Sequence, residues 1–106
     1  MYLQLAHTRL EVFQISKLLV LECYRLTKDF PPEEKFNLVS QIRRAALSVH
    51  LNIAEGSSRK SPLERKRYFI VSRGSLIEVD TAFDVAESLL LCTKEQTQVM
   101  GSLLVQ

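Results

Sequence analysis

Two cysteines, two histidines and no apolar run longer than four residues set the first limits on this 106-residue chain. Runs such as Leu18 to Leu21 and Leu89 to Cys92 fall far short of the roughly 18 residues a membrane span needs. Cys23 and Cys92 are too few for a disulfide framework, and each lies in an apolar stretch, so both are expected to be buried reduced thiols. His7 and His50 are far apart and lack any zinc-type spacing, which argues against metal binding and histidine-based catalysis. The segment Gly56-Ser57-Ser58-Arg59-Lys60-Ser61 lacks the second glycine and the spacing of a phosphate loop. Met1 to His7 has no basic region ahead of a long apolar stretch, so a signal peptide is not expected and a cytoplasmic protein is. No enzyme activity, metal or cofactor is expected, and no stretch alternates apolar and polar residues at period two for long.

What is present is ordinary soluble composition, 46% apolar and 25% charged, consistent with one domain over residues 1–106. The net charge of +2 conceals an asymmetry. Between Arg43 and Arg73, eight basic residues oppose two acidic ones, a balance of +6. From Leu76 onward, five acidic residues oppose Lys94 alone, a balance of −4.

Apolar residues recur at steps of three and four, the spacing of one helix face. A first helix is expected from about Thr8 to about Lys28, with a seam of Phe13, Ser16, Val20, Cys23 and Thr27. Pro31 and Pro32 end it, since proline disfavours helical geometry in the residue before it. Glu33 and Glu34 fit the first turn of a second helix, where the helix dipole favours carboxylates. Val39, Ile42, Ala46, Val49 and Ile53 form its seam. Gly56 is expected to close it in the left-handed conformation. Ser61-Pro62-Leu63-Glu64 is a start signal for a third helix running to about Cys92, with Phe69, Ser72, Leu76, Val79, Phe83, Ala86 and Leu90 as its seam. A short fourth helix is expected from Thr93, with Gln96 in the reciprocal capping position. The assembly these imply is an all-α, antiparallel up-down bundle of three long helices and one short one.

Two helices carry more apolar surface than one seam can use. Ile70, Gly74, Ile77, Thr81, Val85 and Cys92 form a second stripe on the third, and Phe36, Leu47, Leu51 and Ala54 lie outside the seam of the second. Soluble monomers seldom leave such patches exposed, so self-association is expected. A mid-helix glycine costs about 1 kcal/mol relative to alanine, which suggests close backbone approach at Gly74.

The block Gln41-Ile42-Arg43-Arg44-Ala45-Ala46-Leu47-Ser48-Val49-His50-Leu51-Asn52-Ile53-Ala54-Glu55-Gly56-Ser57-Ser58-Arg59-Lys60-Ser61, continued by Phe69 to Leu76 and Glu78, resembles the signature of the four-helix-bundle proteins encoded in intervening sequences of bacterial 23S ribosomal RNA genes. The resemblance covers most of the chain. It implies an antiparallel four-helix bundle assembling as a ring-like pentamer. It also implies similarity to the accessory proteins of diversity-generating retroelements, which are basic pentameric barrels that engage nucleic acid and a reverse transcriptase. His50 stands where the family usually has proline, so a proline-induced irregularity in the second helix is not expected.

Two residue sets are candidates for function. Arg59, Lys60, Arg65, Lys66 and Arg67 crowd the connection between the second and third helices, several at a helix N-terminus whose dipole disfavours cations. With Arg43, Arg44 and Arg73 they form a candidate surface for RNA or DNA phosphates, with Tyr68 a possible stacking ring. The other set is a polar ridge of Asn37, Gln41, Arg44, Ser48, Asn52 and Glu55 on the second helix. Glu78 is expected to meet Arg44 or Arg73. Together with Gly74 these residues suit either a polar channel or binding surface, or else a solvated face or a hydrogen-bonded network fixing how subunits register. Nucleic-acid binding, with a nucleic-acid-processing protein as a further partner, competes with a purely structural scaffold that binds proteins.

Overall fold

A computed structural model of the chain describes residues 10–104, which form four helices and no strand: α1 (Glu11–Thr27), α2 (Leu38–Ser58), α3 (Pro62–Ser88) and the short α4 (Gln98–Leu104). The expected start of α1 at Thr8 lies outside the described residues, as does His7; Leu10 is extended and immediately precedes the helix. α2 is the middle element. It packs against α1 and against α3, while α4 rests on α1. The particle measures 44 × 24 × 23 Å, and the 27 residues of α3, at about 1.5 Å each, run nearly its full length. Cross-links pair Gln41 with Glu78, Ser48 with Ser75 and Val49 with Ser72, so numbers rise along α2 as they fall along α3. Ser16 with His50 and Thr27 with Arg43 relate α1 to α2 in the same way. None of the described helices is long and apolar enough to cross a membrane.

The seam expected on α2 is the centre of the core. Val39, Ile42, Ala46, Val49 and Ile53 are all buried, joined by Ala45 and Gly56. α1 contributes Phe13, Leu19, Cys23 and Leu26, and α3 contributes Val79, Phe83 and Ala86. Both thiols are free and buried, and burial pushes the Cys23 thiol up to about 12. Its sulfur lies 3.9 Å from that of fully buried Met100, fastening α4 to α1. α2 is helical without interruption through His50, whose Nδ1 is 2.6 Å from Ser16 Oγ and whose ring lies against Phe13.

Several boundaries and seam positions differ from expectation for definable reasons. Glu33 and Glu34 lie in a separate 3-10 turn, Pro32–Glu34, rather than in α2. Glu34 nonetheless caps α2 from there, because its carboxylate accepts from the Leu38 N–H at 3.3 Å. α3 ends at Ser88, four residues before Cys92. Its end is a Schellman motif, with Leu91 N–H donating to Ala86 O (2.9 Å) and Leu90 N–H to Glu87 O (3.0 Å). Leu90 therefore sits at φ 61°, in the left-handed region, and is 89% exposed rather than in the core. Phe69, also placed in the seam, is 41% exposed. Thr93 and Gln96 form the reciprocal cap, each backbone N–H bonded to the other's side chain, but the chain makes a turn before α4 begins at Gln98. Gly74 has nothing within 4 Å of an added Cβ among the described residues, so no described part of the chain approaches it closely.

Two stability measurements test this core. Phe83→Ala, at a ring only 4% exposed, should lower the unfolding free energy by about 3 to 5 kcal/mol in urea titration. Leu90→Gly should raise it by about 1 kcal/mol, because it relieves left-handed strain at a side chain that buries almost nothing.

Candidate nucleic-acid interface

α2 and α3 are joined by only three residues, 59–61. Arg59 is extended (φ −81°, ψ 144°), with its N–H bonded to Gly56 O, and Ser61 caps α3 by accepting from the Glu64 N–H at 3.4 Å, with Pro62 at the first helical position. Gly56 does not terminate α2 in the left-handed conformation, since no described glycine has positive φ. It is buried inside the last turns of the helix, where an added Cβ would lie 2.9 Å from the Phe69 ring and 3.0 Å from Tyr68 Cβ. Glycine is there because α3 presses on α2 immediately beside the connection.

That closeness gathers the basic residues. Arg59 Nη2 lies 3.0 Å from both Glu55 Oε2 and the Tyr68 hydroxyl, with its guanidinium over the Tyr68 ring. Tyr68 is therefore engaged by a neighbouring cation and is half-buried. Arg65 donates to Lys60 O at 2.9 Å. Lys60, Arg65, Lys66, Arg67 and Arg73 are all exposed. Arg65, Lys66, Arg67 and Arg73 line two open grooves along the first half of α3. One of about 430 Å³ is lined by Pro62, Arg65, Lys66, Phe69, Ile70 and Arg73. The other, of about 290 Å³, includes Arg59, Arg67, Tyr68 and Asn52.

Arg43 does not join this surface. Its Nε donates to Thr27 Oγ1 at 2.9 Å, its Nη2 reaches Tyr24 O, and its guanidinium lies 4.5 Å from the Tyr24 ring, so it fastens α2 to the last turn of α1. Arg44 is exposed on the outer side of α2 and has no hydrogen bond or ion pair to any described residue. The polar ridge separates into short links. Ser75 donates to Ser48 Oγ (2.8 Å), Asn52 Nδ2 donates to Ser48 O (2.8 Å), and Ser72 donates to Val49 O (3.0 Å). Glu78 meets Gln41, at 3.3 Å, and neither Arg44 nor Arg73. Asn37 precedes α2, with its amide on Glu34.

The exposed Phe69 ring is the feature that periodicity concealed. Arg65, Lys66 and Arg73 surround it at i−4, i−3 and i+4, a spacing that marks an aromatic ring set among cations on one helix face.

Gly56→Ala tests the close approach. Alanine normally favours a helix interior by about 1 kcal/mol over glycine; here the substitution should lower stability by about 1 to 2 kcal/mol, as overpacking does. Chemical denaturation of the variant beside Gly74→Ala, where space is open, separates packing from helix propensity.

A family model described as 23S rRNA-intervening sequence protein matches residues 8–106. No curated protein matches the chain.

Proposed function

Because the chain belongs to the 23S rRNA-intervening sequence protein family, we propose that it is a non-catalytic homo-oligomer, a ring of five antiparallel bundles as the resemblance implies, that binds the phosphates of RNA or DNA through the connection between α2 and α3. The observation that carries this reading is the exposed set Lys60, Arg65, Lys66 and Arg67 around one three-residue connection, with Arg73 two turns further along α3. Cations in the opening turns of a helix oppose its dipole by a few tenths of a kcal/mol each. Stability of the fold does not call for them; a polyanion does. Cyclic assembly multiplies the cluster into a band of positive charge. Phe69, half-exposed between Arg65, Lys66 and Arg73, supplies a ring on which an unpaired base can stack, a contact that tolerates every base.

Self-association is supported by apolar side chains that the protomer leaves in water. Leu47, Leu51, Leu63, Ile70 and Ile77 are 40% to 61% exposed on α2 and α3.

Fluorescence anisotropy with a structured RNA and a single-stranded DNA, over a range of salt, tests the reading. Affinity should fall by about 0.7 to 0.9 log units per log unit of salt for each phosphate engaged. Replacing Lys60, Arg65, Lys66 and Arg67 by glutamine should flatten that slope by about 3, the loss of four such contacts. Wild-type protein that binds neither nucleic acid at low ionic strength favours the competing reading, a scaffold whose basic connection meets an acidic protein.

A further inference from the structure

The outer faces of α2 and α3, turned away from the core, carry the same pattern in opposite order. On α2, Arg44, Leu47, Leu51 and Glu55 follow one another at steps of three, four and four, and all four are exposed. Along α3, Arg73, Ile77, Thr81 and Asp84 follow at steps of four, four and three, and all four are likewise exposed. Each face therefore has a cation and a carboxylate eleven residues apart, about 16 Å along the helix, with two intervening residues that include its outward apolar side chains. Set side by side with the helices running oppositely, Arg73 meets Glu55, Ile77 meets Leu51, Thr81 meets Leu47 and Asp84 meets Arg44. The parallel alternative opposes Arg44 to Arg73 and Glu55 to Asp84, and like charges facing each other are unfavourable.

In the antiparallel register Gly74 falls opposite Ala54. Gly74 has open space within 4 Å of its Cβ position, although a mid-helix glycine carries a cost of about 1 kcal/mol. A neighbouring helix approaching there gives the missing side chain its reason. Leu51 and Ile77 are 52% and 57% exposed and would cover one another. Pairing α3 with a second α3 would instead leave Leu47 and Leu51 in water.

We infer that a second copy of this chain docks the outer face of its α2 on the outer face of α3, antiparallel, through Arg73 with Glu55 and Asp84 with Arg44. The contact uses two different surfaces, so it is heterologous and propagates from copy to copy until it closes. α3 runs opposite to its own α2 and to the neighbour's, so all copies point the same way. The basic connections then gather at one end of the assembly. This pairing rests on the oligomeric reading above and adds which surfaces meet and in which direction.

Size-exclusion chromatography with light scattering, over a dilution series, tests it on the full chain, with circular dichroism to check that each variant is folded. Arg73→Glu and Glu55→Arg should each weaken assembly at least tenfold, and the two together in one chain should restore it. Gly74→Leu, at a position where an added Cβ has no described neighbour within 4 Å, should block assembly while leaving the helices intact. Single variants that assemble like wild type overturn the pairing, as does rescue of Arg73→Glu by Asp80→Arg, which would signal an α3 to α3 contact. Wild-type protein that is monomeric at micromolar concentration overturns both the pairing and the oligomeric reading, whereas an oligomer indifferent to these substitutions overturns the pairing alone.

Discussion

The close approach of α3 to α2 is the constraint on which the rest of the molecule depends. Beside the shared apolar core, it is made by small residues and hydroxyls. Gly56 admits Phe69 and Tyr68, while Ser72 and Ser75 reach across to Val49 O and Ser48. Ser72 and Ser75 are themselves buried, and these bonds give their hydroxyl protons an acceptor, so a slip of one residue would leave those donors unpaired. The same approach shortens the connection to three residues and so brings Arg59, Lys60, Arg65, Lys66 and Arg67 into one small region.

A charged residue's neighbourhood, more than its sign, decides what it does here. Arg43 and Arg44 are adjacent in sequence, yet the 100° turn between successive helical residues separates their roles. Arg43 is held over Tyr24 and bonded to Thr27 at the end of α1, whereas Arg44 faces outward. Arg59, though exposed, is likewise held by Glu55 and Tyr68, while exposed Lys60 beside it takes part through its backbone carbonyl, which accepts from Arg65. A basic cluster read as one patch thus divides into cations that fasten helices and cations that remain exposed on the surface.

Helix number, the core of α2, the Ser61 cap and the Thr93–Gln96 cap were legible in the sequence because each rests on local spacing. The misplaced residues are those whose setting depends on a distant element. Phe69 and Leu90 continue the periodic seam of α3, but α2 covers the Phe69 ring at Gly56 and still leaves Phe69 41% exposed, and Leu90 lies beyond a helix end that the Schellman turn sets two residues earlier. Gly56 resembles a helix stop because glycine is so often one; its true reason, a ring packed on its Cα, lies thirteen residues downstream. For the candidate site, the basic connection was visible as composition. The exposure of Phe69 among its cations was not, since periodicity does not say which of two apolar faces is covered.

The placement of α4 has a kinetic consequence. The contacts of α2 with α1 and with α3 join helices adjacent in the chain, whereas α4 must return to α1 across most of the sequence, with Cys23 and Met100 separated by 77 residues. Adjacent helices close short loops and assemble early; a seven-residue helix that closes a long one docks late and releases first. Met100 covers the Cys23 sulfur, so that thiol is a built-in reporter of this release, its labelling rate measuring how often α4 lifts while the other three helices stay folded.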